Sequence, residues 1–171
     1  TSMLGSIRVA CGLLATEIDF NNILCITSDR FPLGAKYEQA YNLISDGAAC
    51  CIVSREQKGF RILASHHITN GSAVQANDEE TVAVYFTYMN RIVNEILEKF
   101  KITIDDLDWI IPQNINQKAW QILSRVLKID LDRVFVEPMS EVAHCISGDN
   151  IINLKHLNDS QRIKPGQRLL C

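Results

Sequence analysis

The chain has 171 residues, 47% hydrophobic and 22% charged, with a formal net charge of −3, which is enough apolar material for one sizeable core or two small ones. The mild negative balance and the scattered basic residues exclude nucleic acid as the main partner. No apolar run is long enough to cross a bilayer, and the first residues lack the basic-then-apolar order of a secretory leader, so neither a membrane partner nor secretion is expected.

Residues 2–18 are predicted to form a helix, because Met3, Ile7, Ala10, Cys11, Leu14 and Ile18 recur at helical spacing. The small residues Gly5, Ser6, Ala10 and Gly12 predict that something packs closely against it. Residues 22–28 read as a buried strand, and 29–38 as a polar loop. Ser45-Asp46-Gly47 is a turn signal. Residues 48–54 read as a second buried strand and 60–68 as a third, the two forming an antiparallel pair joined by the polar turn 55–59. Residues 69–80 carry no period and read as a loop at the boundary between two halves. A helix is predicted over 81–100, with a broad apolar face of Val84, Phe86, Met89, Ile92, Val93, Ile96, Leu97 and Phe100. Strands follow within 105–112 and 133–137, separated by a helix over 117–127. A helix over about 147–157 comes next, and the turn Lys164-Pro165-Gly166 leads into a last strand, 167–171. Strands alternating with helical crossovers predict an α/β sheet with parallel members. Their continuous apolar runs fit a sheet covered on both faces.

The six cysteines, at 11, 25, 50, 51, 145 and 171, include no CxxC pair, so no zinc ligand set is expected. Most lie inside apolar elements and read as reduced, small hydrophobes of a cytoplasmic protein. Cys145 adjoins His144, but adjacent side chains usually point apart, so Cys145 is not expected to be a nucleophile.

Asp108-Trp-Ile-Ile-Pro112-Gln-Asn-Ile-Asn116 is a short apolar strand that runs into a proline and a polar loop at the start of a helix. Together with Arg162-Ile-Lys-Pro-Gly166, it resembles the C-terminal half of a β-ketoacyl-acyl-carrier-protein synthase III, a thiolase-fold condensing enzyme. Helix 2–18 with the strand ending in Ser28-Asp29 is similar to the family's nucleophile helix and the strand after it. Ser45-Asp46-Gly47-Ala48-Ala49 and Ser65-His66-His67-Ile-Thr-Asn-Gly71 resemble the two ends of the family's next hairpin. The motifs occur in family order. The resemblance implies a thiolase-like fold of layered αβαβα architecture with mixed sheets. Residues 1–75 would be the end of the N-terminal half, and 76–171 most of the C-terminal half. The chain is about half the usual family length, and a half thiolase fold is expected to leave a sheet face bare.

The resemblance also implies chemistry. The family's nucleophilic cysteine corresponds to Thr1 or to a position just before it. The family's catalytic histidine in a Pro-His-Gln-Ala-Asn loop is Gln113 here, while Asn116 keeps the loop's final asparagine. The family's later Gly-Asn-Thr-Ser loop is replaced by Val142-Ala-His144-Cys-Ile-Ser-Gly-Asp149-Asn150, with His144 within about one position of the family asparagine. The candidate catalytic set is therefore His144, Asp149, Gln113, Asn116 and Thr1. Gln113 donates hydrogen bonds but does not transfer protons. His144 supplies a base that Asp149 would orient, in a Cys-His-Asp arrangement. That suits acyl transfer to an oxygen, nitrogen or sulfur nucleophile better than carbon–carbon bond formation.

The plainer alternatives are a loop histidine at 144, a helix N-terminal carboxylate at 149, and loop-capping amides at 113 and 116. His66 and His67 are not expected to be catalytic. The implied substrates are thioesters of coenzyme A or of the phosphopantetheine arm of an acyl carrier protein, with no permanently bound cofactor and no metal. A homodimer or heterodimer is expected. The competing expectation, favoured by Gln113, is a catalytically silent subunit of a heteromeric condensing enzyme.

Overall fold

The computed structural model describes residues 2–35, 38–39, 42–71 and 77–171, with no side-chain description at 2, 38, 39 and 78. Helix α1, Ser2–Thr16, is followed by strand β1, Asn22–Asp29. The short strands β2, Glu38–Gln39, and β3, Asn42–Leu43, pair antiparallel. Strand β4, Gly47–Ser54, then runs antiparallel to β1, from Asn22 opposite Ser54 to Asp29 opposite Gly47. Met3, Ala10 and Leu14 of α1 bury against Cys25 and Val53 on one face of this pair. Burying a side chain the size of Met3 or Leu14 contributes about 1.5–3 kcal/mol.

Several expectations change in this half. The predicted pairing of β4 with 60–68 is not formed. β4 pairs with β1 instead, and 60–70 is irregular. Arg55 ties the end of β4 back to the α1–β1 turn, donating to the carbonyls of Phe20 and Glu17 at 2.8 and 2.9 Å. Farther on, His66 bonds Glu95 at 2.6 Å and Arg8 donates to His67 Nδ1 at 2.6 Å, drawing the segment towards the helices. Helix α1 stops at Thr16, so Ile18 lies outside it and is exposed. A Cβ on Gly5 or Gly12 would meet open space, so of the small residues of α1 it is Ala10, buried against Cys25 and Val53, that marks the packed face. Among the described residues β1 and β4 are covered on one face only, and Leu24, Ile26 and Ile52 stand exposed on the other.

Helix α2, Asp78–Phe100, starts three residues before the predicted 81. A capping box sets the start: Glu80 N–H donates to Asn77 Oδ1, and Asn77 N–H donates to Glu80 Oε2. Strand β5 is only Trp109–Ile110, preceded by a 3₁₀ turn over Ile104–Asp106. Helix α3, Gln117–Leu127, has the predicted limits. The predicted strand 133–137 reduces to a single bridge, Val134 to Ile110, between two 3₁₀ turns. Pro138, which has no N–H to give a ladder, follows directly. Helix α4 is Asp149–Asp159, and strand β6, Leu169–Leu170, runs parallel to β5.

β5 sits between Val134 and β6, with both neighbours parallel to it. Its pleat sends alternate residues to opposite sides. Ile110 enters the core of α2 and α3 with Val93, Leu97, Trp120 and Leu123. Ile111 enters a second core with Phe135 and Leu157. Arg162 closes this edge, with its guanidinium 4.8 Å from the Trp109 ring centroid and both Glu137 carboxylate oxygens 2.6 and 2.7 Å away.

The two halves meet where residues 43–45 run beside residue 144. His144 N–H donates to the Leu43 carbonyl at 3.0 Å, and Ser45 N–H donates to the His144 carbonyl at 3.1 Å. The approach is so close that a Cβ on Gly47 would lie 2.5 Å from Cys145 Cβ and 2.6 Å from its Sγ. Only glycine fits there. Gly47→Ala is expected to destabilise the fold by about 1–3 kcal/mol through overpacking, measured by denaturant unfolding. A change below about 0.5 kcal/mol, the usual range for exposed sites, would show that the contact is not formed.

Candidate active site

The site is built where the loop after β5 meets the N-terminus of α4. Asp149, the first residue of α4, is fully buried. A carboxylate there interacts favourably with the helix dipole, and here its partners come from three other residues. Oδ2 accepts from the backbone N–H of Asn114 at 2.7 Å and lies 2.5 Å from His144 Nδ1. Oδ1 accepts from the backbone N–H of Cys145 at 2.7 Å. Both oxygens thus have hydrogen-bond partners, as a buried carboxyl group requires. Its contact with Nδ1 favours the tautomer with the proton on that nitrogen, leaving Nε2 as the acceptor. The His144 side chain keeps 15% exposure, so the ring is reachable.

Gln113 is half-buried, and its carbonyl accepts from Trp120 Nε1 at 3.0 Å. That bond fixes the backbone and leaves the side-chain amide out of the tie. Asn116 is the N-cap of α3, with Oδ1 accepting from Ala119 N–H at 2.7 Å. An apolar groove of about 260 Å³ opens beside it, lined by Val82, Tyr85 and Phe86 of α2 and by Ile115, Ala119 and Ile122. Burial drives the Tyr85 hydroxyl pKa well above its ordinary value.

The structure therefore brings His144 and Asp149 together. It places Gln113 and Asn116 on the loop whose middle residue, Asn114, bonds the same carboxylate. Thr1 lies outside the described residues. His66 and His67 bond Glu95 and Arg8, away from this loop. Cys145 is buried, with Sγ 3.3 Å from Ser45 Oγ and within bonding reach of the Asp46 and Ala143 carbonyls. Cys51 is half-buried, and burial, then the neighbouring Cys25, pushes its thiol pKa up to about 11. The Cys51 environment therefore disfavours a thiolate. Three residues were missed from sequence: Asn114, Asn150 and Asn153, all buried and all bonded into the loop. The available signal was the polar stripe Asp149, Asn150 and Asn153 on one side of a helix.

Residues 1–71 match the family described as 3-oxoacyl-[acyl-carrier-protein (ACP)] synthase III, and residues 97–171 match the C-terminal model of the same family. The β-ketoacyl-[acyl-carrier-protein] synthase III of Chlamydia caviae is 24% identical over 197 aligned positions, covering 94% of this chain and 58% of the relative. That of Thioalkalivibrio sulfidiphilus is 27% identical over 113 positions, covering 66% of this chain and 35% of the relative. The chain thus spans 58% of the first of these relatives and about a third of the second. The Aquifex aeolicus synthase III structure superposes with a TM-score of 0.84 at 20% identity, over 98% of this chain and 58% of that one. OleA of Xanthomonas campestris, bound with cerulenin, gives 0.81 at 11% identity, over 98% and 55%. The fold is the α/β thiolase-type fold of these structures. With one family's two models matching its two halves, the chain is 3-oxoacyl-[acyl-carrier-protein] synthase III-like.

Proposed function

We propose that this chain forms part of an acyltransferase of the synthase III type. It would take an acyl group from a thioester of coenzyme A or an acyl carrier protein, through a cysteine at or just before residue 1. The observation that carries this reading is the His144–Asp149 pair, held against the 113–116 loop by a shared buried carboxylate. Such a pair supplies what the loop has lost, since Gln113 cannot exchange a proton.

In this reading the acyl group first rests on the cysteine as a thioester. An acceptor O–H, N–H or S–H gives its proton to His144 Nε2 while its heteroatom attacks the thioester carbonyl. The Gln113 amide, a neutral donor, holds the carbonyl oxygen as it gains charge. Collapse of the tetrahedral species breaks the C–S bond. The departing thiolate takes the proton back from the imidazolium, and the free thiol is restored. Asp149 keeps the ring in the tautomer that accepts at Nε2. Asn116 fixes the exit of the loop by capping α3. The exposed Val9, Leu13, Leu24, Ile26 and Ile52 support association with a second subunit. The six free cysteines are in keeping with a cytoplasmic setting, and no helix of the described residues is long and apolar enough to cross a membrane. A second reading, a catalytically silent subunit of a heteromeric condensing enzyme, is favoured by Gln113 alone.

The test is the intact mass of the full-length protein after incubation with acyl-coenzyme A esters and acyl carrier protein thioesters. A covalent acyl adduct at or next to Thr1 is expected. His144→Ala is expected to keep the adduct and to slow its transfer to acceptor by about 10²–10⁴-fold. Absence of an adduct with every donor would move the assignment to the silent subunit. Asp149→Asn places an N–H₂ group among N–H donors and is expected to cost about 2–4 kcal/mol of stability in denaturant unfolding. A loss below about 0.5 kcal/mol would contradict the shared carboxylate.

A further inference from the structure

The loop after β5 is buried at Ile111, Pro112 and Asn114 and half-buried at Gln113, Ile115 and Asn116. A buried loop must satisfy its polar groups internally, and this one does so largely through the side chains of one helix. Asn150 Nδ2 donates to the Ile111 carbonyl at 2.8 Å. Asn153 Nδ2 donates to the Pro112 carbonyl at 2.9 Å and to Asn114 Oδ1 at 2.7 Å. Asp149 takes the Asn114 N–H, and Asn114 Nδ2 donates onward to the Val142 carbonyl at 3.2 Å. Asn153 is fully buried, and its Oδ1 has no partner among the described residues. An amide buried with one end unsatisfied is costly, and a leucine of similar volume would avoid that cost. What the amide adds is direction. Its two N–H bonds reach two oxygens of one loop and fix where that loop lies along α4.

We propose that Asn153, assisted by Asn150, is a positioning residue that sets the Gln113–Asn116 loop against His144. The imidazole is held by the same first turns of α4 through Asp149, so both parts of the candidate site hang from one rigid element. This deepens the acyl-transfer reading and rests on it for its kinetic readout.

The test compares full-length parent protein with Asn153→Leu, Asn153→Ala and Asn150→Ala by two measurements. Hydrogen exchange over 111–116 is expected to rise roughly tenfold or more, with exchange in α3 unchanged. The acyl-transfer kcat is expected to fall roughly 10- to 100-fold, the cost of a misplacement of about 1 Å, with KM within about twofold and the pH profile unaltered in shape. A purely structural amide would lower Tm but leave kcat unchanged well below Tm, and that result, or unchanged loop exchange in a folded variant, overturns the proposal. Should both Asn153 variants fail to fold, Asn150→Ala, which removes only the bond to Ile111, decides by the same two measurements. Parent-like transfer in His144→Ala would instead reject the acyl-transfer reading, and should no transfer be found at all, the loop exchange alone decides the positioning role.

Discussion

The carboxylate of Asp149 joins the loop after β5, the turn before α4 and the head of α4, beside the asparagine bonds that tie the same segments. It sits at the head of α4 with no exposure, and its two oxygens receive the amide of Asn114, the amide of Cys145 and the ring of His144. Burying a charge is expensive unless every lone pair is engaged. The three donors therefore stabilise one another's positions, and loss of any one leaves the anion under-satisfied. The loop after β5 and the turn before α4 are held relative to each other by this atom pair. Neither segment has a ladder of its own to hold it. The backbone bonds between residues 43–45 and His144 extend the same junction to the first half of the chain.

In the proposed reading Gln113 does not transfer a proton, and His144 brings an imidazole whose orientation is set at both ends of the residue. Its backbone pairs with residues 43–45, and its Nδ1 meets Asp149. Gly47 makes the junction possible, because any side chain there would collide with Cys145. The compactness of this corner contrasts with the open outer face of β1 and β4, where Leu24, Ile26 and Ile52 are exposed.

Much of this was legible in the sequence, and the limits of legibility have physical causes. Helix α3 was read to its limits because Asn116 caps it and Trp120, Leu123 and Leu127 recur on one face. The start of α2 was read late because its signal is the Asn77–Glu80 capping box, which precedes any apolar period. The segments around Val134 and Leu169 were read as full strands because an apolar run reports burial, not ladder length. Residues 60–68 were read as a strand for the same reason, while their tertiary ties, through His66 and His67, carry no periodic signature. At the site, the His144–Asp149 spacing and the family pattern made that pair visible. Asn114, Asn150 and Asn153 were not, since an asparagine in sequence reads as a turn or a surface residue. Only the packing of α4 onto the loop turns these three into buried donors.

The most direct test of the account is the protonation of the His144 ring, followed by ¹⁵N NMR of histidine-labelled full-length protein near neutral pH. The account predicts one imidazole with its proton on Nδ1, shifted downfield and protected from exchange by Asp149, and with Nε2 bare. A His144 ring carrying its proton on Nε2 alone, or exchanging as freely as an exposed histidine, would contradict the shared carboxylate and the base assigned to it.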